Sequence, residues 1–165
     1  MALFVLTGAP GSGKTALVLA VRERLTGVVV VDMDAFLDAG SALAGADLRY
    51  AADHWAAYTA LCRQLVAAVL DSGVDCLLLT PLEPRQVPAW PPGEVAWAVL
   101  DCPDAVRRER LIARGMTDDE IEDAVRDAAV LRGVGLPVVR STGTVAGTAE
   151  RVAGWVRSGS GRRCG

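Results

Sequence analysis

Lysine is nearly missing from this chain. Of 17 basic residues only Lys14 is a lysine, and all the others are arginine. Histidine occurs once, at His54, and one imidazole does not make a metal site. His54 therefore reads as structural or solvated rather than catalytic. The four cysteines, Cys62, Cys76, Cys102 and Cys164, show neither C-x-x-C nor metal-ligand spacing. Three of them fall in segments that read as buried, where a reduced cysteine behaves as a small apolar residue. That usage points to a reducing cytoplasm. Aromatics make up 5% and hydrophobic residues 52%, so the core is expected to be mostly Val, Leu and Ala. A net charge of −3 offers no broad cationic face for nucleic acid. No apolar run is long enough to span a membrane. Residues 1–6 are apolar but have no basic leader and stop at Thr7-Gly8, so they read as a strand and not as a signal peptide.

What is present alternates between strand and helix. Residues 2–7 form an unbroken apolar run, as expected of a central parallel strand buried on both faces. Further strands are expected at 28–32, 75–80, 95–101 and 136–140. Helices are expected at 14–25, 47–71, 103–114, 117–132 and 145–157. Thr117 and Glu120 have capping-box spacing. Residues 81–94 carry five prolines and read as a loop. The pattern predicts an α/β fold of three layers, a five-stranded parallel sheet with helices on both faces. A single domain is expected over 1–158, with a disordered tail at 159–165.

The one lysine lies in Gly8-Ala9-Pro10-Gly11-Ser12-Gly13-Lys14-Thr15, a complete G-x-x-x-x-G-K-[ST] phosphate-binding loop. Glycines there let backbone N–H groups turn inward, and the following helix aims its positive end at an anion. Residues Gly8 to Thr15, with Ala16, are the expected nucleotide-binding set. Lys14 would neutralise the transferring phosphoryl group, and the Thr15 hydroxyl would meet Mg²⁺. The loop falls at the carboxyl end of a strand, where open α/β sheets bind ligands.

Asp32 and Asp34 end the second strand, two residues apart and on one side. One carboxylate there can hold Mg²⁺ through water, and another can orient or deprotonate an acceptor hydroxyl. Both would equally serve as loop carboxylates, one capping a short helix at 35–37. Arg107, Arg110 and Arg114 share about a 60° arc of one helix face. Such a face needs an anion or carboxylates opposite it. Phosphates suit Arg110 and Arg114, while Arg108 reads as solvated and paired with Glu109 and Asp104. On the long helix, Arg49, Asp53 and Tyr58 fall near helical spacing. They either line an acceptor pocket or belong to an ordinary amphipathic helix.

Together these features resemble the small P-loop kinases of the nucleoside, nucleotide and shikimate kinase group, over nearly the whole chain. The resemblance implies ATP and Mg²⁺ as cofactors. It gives Asp32 the water-mediated metal role and sets Asp34 against the acceptor hydroxyl. Arg110 would stack on adenine, Arg114 would reach the phosphates, and Thr142 lies in the loop that touches the adenine edge. Arg49 and Arg85 would face the acceptor, a small molecule. The chain departs from the group after strand three. Thr80-Pro81-Leu82-Glu83-Pro84-Arg85 stands where nucleotide kinases carry Asp-Gly-Phe-Pro-Arg and shikimate kinases carry glycines. An ATP-dependent phosphotransferase acting on a hydroxyl is the expected activity. A nucleoside-monophosphate kinase and a nucleotide-binding regulatory protein with little turnover stand as the alternatives.

Overall fold

The computed structural model describes residues 1–49, 51–81 and 95–160. Strands β1 (Leu3–Thr7), β2 (Val28–Asp32), β3 (Asp75–Thr80), β4 (Val95–Asp101) and β5 (Val138–Arg140) form one sheet in the order β2-β3-β1-β4-β5. Every neighbouring pair is parallel. Thr7 lies opposite Thr80 on one side and Val99 on the other, so the carboxyl ends of β1 and β3 finish level while β4 runs on to Asp101.

The central position of β1 follows from its composition, since all five residues are apolar or Thr and all are buried. Side chains alternate between the two faces. Phe4 and Leu6 pack against Leu17 and Val21 of α1 (Lys14–Arg22) and against Val152 and Val156 of α6 (Val145–Ser160). The Phe4 ring meets Trp155 edge-on, with centroids 5.6 Å apart. Leu3 and Val5 turn the other way, toward Met33, Leu37 and, on α3 (Ala52–Asp71), Tyr58, Cys62 and Val66. Helices therefore cover both faces, as the alternating pattern predicts.

From β1 the chain travels outward to β2, returns to β3 beside β1, and crosses over β1 to β4. The order reverses at β1, which opens a crevice beyond its carboxyl end. Residues 8–13 occupy that crevice. On its far side, α4 (Asp104–Ile112) and α5 (Asp118–Gly133) pack through Leu111, Ile121 and Ala124. The Thr117–Glu120 capping box forms with both of its reciprocal bonds, and Arg108 pairs with Glu122 of α5, not with the carboxylates of its own helix.

Several boundaries differ from the sequence reading. The long helix starts at Ala52, not at Asp47. Asp47 instead folds the chain locally, its Oδ1 accepting from the Arg49 N–H at 3.0 Å and its carbonyl from the Ala51 N–H at 3.0 Å. Arg49 thus precedes α3 and does not share a helical face with Asp53 and Tyr58. The small-residue stretch after β2 is more ordered than its glycines suggest. A 3-10 turn, Met33–Phe36, runs into α2 (Leu37–Ala44), which Gly45 closes in the left-handed region. The last helix reaches Ser160, two residues past the expected domain limit. Arg85, the proline-rich loop around it and Cys164 lie outside the described residues.

Candidate active site

Two glycines explain the shape of the loop. A Cβ on Gly8 would stand 2.7 Å from the Leu100 carbonyl oxygen, so only glycine lets the loop leave the sheet there. Gly13 sits at φ +101° as the residue before α1, where any other residue is strained. The Ser12 hydroxyl is buried without a hydrogen-bond partner. Buried polar atoms are rarely left so, and an anion seated on the loop would complete it.

Arginines of α4 hold the loop from behind. Arg107 is fully buried; its guanidinium donates to the carbonyls of Pro10 (2.5 Å) and Ala9 (3.4 Å) and to the Asp101 carboxylate (2.6 Å). Arg110 donates to the carbonyls of Gly11 (3.1 Å) and Ser12 (3.2 Å) and to Ser141. In a trans peptide the N–H points opposite to the preceding C=O. Pinning the carbonyls of Pro10 and Ser12 on the arginine side therefore aims the N–H groups of Gly11 and Gly13 away from it. Asp101 is itself held by Arg132 at 2.7 Å, and Arg132 also reaches Asp104 at 2.6 Å. Of the two partners that spacing allowed this face, an anion or carboxylates, Arg107 has the carboxylate. The missed signal was Asp101 at the end of β4, a carboxylate placed to take an inward-turned arginine.

Lys14 is buried at the start of α1 and donates through Nζ to the Gly8 carbonyl. Burial pushes its pKa down, against the nearby Asp34 and Asp32 carboxylates, which hold it up. Asp32 is buried too, and its pKa is pushed up by burial first and by Asp34 second. Its Oδ1 accepts from the Asp34 N–H at 3.1 Å, capping the 3-10 turn. The two aspartates thus divide the roles weighed for them. Asp32 caps the turn beneath the site, and Asp34 faces open space.

Three hollows meet around these residues. The smallest, 150 Å³, lies over residues 10–15 and is closed by Asp34, Pro81 and Arg114. A second, 350 Å³, is lined by Gly13, Ala16, Arg110, Arg114, Ser141 and Gly143, among others. Arg114 and Gly13 line both. A third, 730 Å³, lies on the other side of the loop, between Asp34, Leu37, Leu48, Arg49, Trp55, Pro10 and Pro81. Asp34 belongs to the first and the third. Thr142 is placed elsewhere than expected: it lines a separate 420 Å³ cavity with Asp101, Asp104, Arg132 and Arg140. Its neighbours Ser141 and Gly143 occupy the wall nearer the loop. Arg49 lines the third hollow, but its guanidinium is already paired with Asp38 at 2.7 Å and Asp47 at 3.5 Å.

This arrangement suits a phosphate chain laid along the loop, its outer end near Lys14 and Arg114 and its other end leading toward Arg110. A family model described as AAA domain matches residues 5–131, from β1 through most of α5. The chain belongs to the AAA domain family. Among solved structures, this AAA domain protein is similar to a sugar kinase from a Janibacter species, with 22% identity, TM-score 0.67, and 95% of each chain covered. It is also similar to a gluconokinase from Sinorhizobium meliloti, with 20% identity, TM-score 0.61, covering 96% of this chain and 97% of that one. A third is the tunicamycin resistance protein of Deinococcus radiodurans, with 20% identity, TM-score 0.71, covering 94% of this chain and 95% of that one. No curated protein sequence matches the chain significantly. In fold, the AAA domain protein is thus a small P-loop NTPase of the kinase-like kind, which agrees with the resemblance read from residues 8–15.

Proposed function

We propose that this protein is an ATP-dependent phosphotransferase that moves the γ-phosphoryl group of ATP to a hydroxyl of a small molecule. The observation that carries this reading is the position of Asp34, which lines both the hollow over the phosphate loop and the larger hollow beside it. A carboxylate at that junction can touch an acceptor while the loop holds the donor. The acceptor oxygen attacks the γ-phosphorus, the bond to the β–γ bridging oxygen breaks, and ADP leaves. The hydroxyl proton passes to an Asp34 oxygen. Lys14 and Arg114 carry positive charge at the side of the loop where the transferring group sits. Arg110 and the wall of Ala16, Ser141 and Gly143 receive the base.

The donor set fits a hard divalent cation: the Thr15 hydroxyl lines the loop hollow, and Asp32 lies within electrostatic reach of Lys14. Thr15, with Asp32 through water, would hold Mg²⁺, which when bound neutralises charge on the β- and γ-phosphate oxygens. The hydroxyl reading is preferred over a phosphate acceptor because Arg49, the cation on the described wall of the acceptor hollow, is already met by Asp38 and Asp47. The partner proposed is a small molecule rather than nucleic acid or membrane. No helix among the described residues is long and apolar enough to cross a membrane. Cys62, Cys76 and Cys102 are free and buried, which supports a reducing cytoplasm as the compartment.

Asp34→Asn keeps the shape of the side chain and removes the base. With a panel of nucleosides, nucleotides, sugars and aromatic alcohols as acceptors, acceptor-dependent ADP release in this variant is expected to fall ~10²-fold or more. Affinity for a non-hydrolysable ATP analogue is expected to stay near that of the wild type. Wild-type turnover in Asp34→Asn would remove the proton-acceptor role.

A further inference from the structure

The acceptor hollow is large and mostly apolar where it is described. At 730 Å³ it is about twice the 350 Å³ hollow assigned to the base, and it falls in the size range of drug-sized ligand sites. Leu37 and Leu48 form its floor and are buried in the core cluster beneath α3. Trp55 forms one side, its ring 5.6 Å from that of Tyr58 at a tilt of 38°. Tyr58 is fixed in turn, its hydroxyl donating to the Met33 carbonyl. Trp55 is therefore a braced ring with one flank on the hollow, and Pro10 and Pro81 also line it.

Its charged groups, among the described residues, are Asp34 and Arg49. Arg49 is already paired. Asp38 and Asp47 both lie against its guanidinium, and its own N–H also goes to Asp47. An anionic ligand at Arg49 would compete with Asp38 and Asp47 for the guanidinium and would face Asp34 as a like charge. A highly hydroxylated ligand finds no better welcome, because hydroxyls set against Leu37, Leu48 and Trp55 lose their water without gaining a partner.

We infer that the acceptor is an uncharged alcohol with an apolar, ring-bearing body, the ring lying against Trp55 and the hydroxyl reaching Asp34. This rests on the phosphotransfer reading, since it takes the hydroxyl as the group that Asp34 meets. The class differs from sugar acids and nucleoside monophosphates, whose charge would meet no unpaired cation among the described residues of the hollow. It differs also from simple sugars, which lack an apolar body.

Three probes that differ in one feature at a time test it. 3-Phenylpropane-1,2-diol carries the ring and neutral hydroxyls. 3-Phenyllactate has the same ring and hydroxyl but a carboxylate in place of the primary alcohol. Glycerol lacks the ring. Binding to the full chain, loaded with Mg²⁺ and a non-hydrolysable ATP analogue, is measured by calorimetry or by ligand-observed NMR. The diol is expected to bind at least tenfold more tightly than either comparator. Trp55→Ala, checked for folding by its unfolding midpoint, is expected to erase the advantage over glycerol while leaving the penalty on phenyllactate. Equal or tighter binding of phenyllactate or glycerol to the wild type would overturn the inference, as would no detectable binding of the diol at millimolar concentration. A separate incubation of the diol with labelled ATP reports on transfer. Binding in the expected order without any transfer counts against the phosphotransferase reading and leaves the acceptor class standing. Transfer to phenyllactate in preference to the diol does the reverse.

Discussion

Lys14→Ala is expected to abolish phosphoryl transfer and to leave the protein folded. Lys14 is the chain's sole lysine, and no other ammonium can take its place. Its side chain is buried at the foot of the phosphate hollow, where a positive charge acts with little screening by water. Removing one such preorganised group from a phosphoryl-transfer site costs on the order of 10²–10³ in rate, and more where a full charge is lost. Stability should not follow activity downward. Burial makes the charged lysine costly in the folded state, as the lowered pKa shows, and the substitution relieves that cost. Steady-state ADP release together with a thermal unfolding midpoint checks both halves. Lys14→Arg should not restore transfer, because a planar fork cannot occupy the place of a compact ammonium. Activity in Lys14→Ala within tenfold of the wild type would remove the loop from the chemistry.

Arg107→Ala should do the opposite, damaging the fold before it damages the chemistry. Arg107 is fully buried, yet it touches no space a substrate could enter. Alanine would leave a void and strip the Pro10 carbonyl of the Arg107 donor, while the Ala9 carbonyl keeps the Ser12 N–H. Asp101 would keep Arg132 as a partner, which limits the loss. A cost of about 3 kcal/mol is expected, at the low end for breaking a buried ion pair. For a domain of this size that corresponds to roughly a 6–12 °C fall in midpoint. The KM for ATP should rise as the loop loses its backing, while kcat at saturating ATP changes less. Arg107→Met separates packing from hydrogen bonding, since it refills much of the space without donating. A methionine variant with wild-type midpoint and wild-type KM would show that the loop holds its shape without these bonds.

The parts of the fold that were legible in the sequence were those with one dominant local cause. The apolar run 2–7 read as a doubly buried strand, which forms over Leu3–Thr7, and Gly8 to Thr15 carried the full phosphate-loop pattern. Thr117 and Glu120 were placed to cap whatever helix followed. Misreadings came where two causes compete. Asp47 looked like a helix start, but its side chain folded back on the Arg49 N–H. Gly40 lies inside α2 at some cost in helix propensity, and the packing of Leu37 with Leu48 and Tyr58 holds the helix there. Among the candidate site residues, Asp34, Arg114, Lys14 and Thr15 line one hollow. Arg107 could not be told from Arg110 by helical spacing alone, since both lie on one arc. What separates them is the depth of each in the third dimension, and the partner Asp101 lies on another element. The apolar character of the acceptor hollow was also hidden, because its wall is gathered from residues as far apart as Pro10, Leu48 and Pro81.

The most direct measurement is phosphorus NMR of the products formed from ATP, Mg²⁺ and the acceptor panel with the wild-type protein. The expected result is a new phosphomonoester resonance on an alcohol, appearing in step with ADP and missing with Lys14→Ala. A new diphosphate resonance on a nucleotide acceptor, or ADP with inorganic phosphate alone across the whole panel, would contradict hydroxyl-directed phosphotransfer.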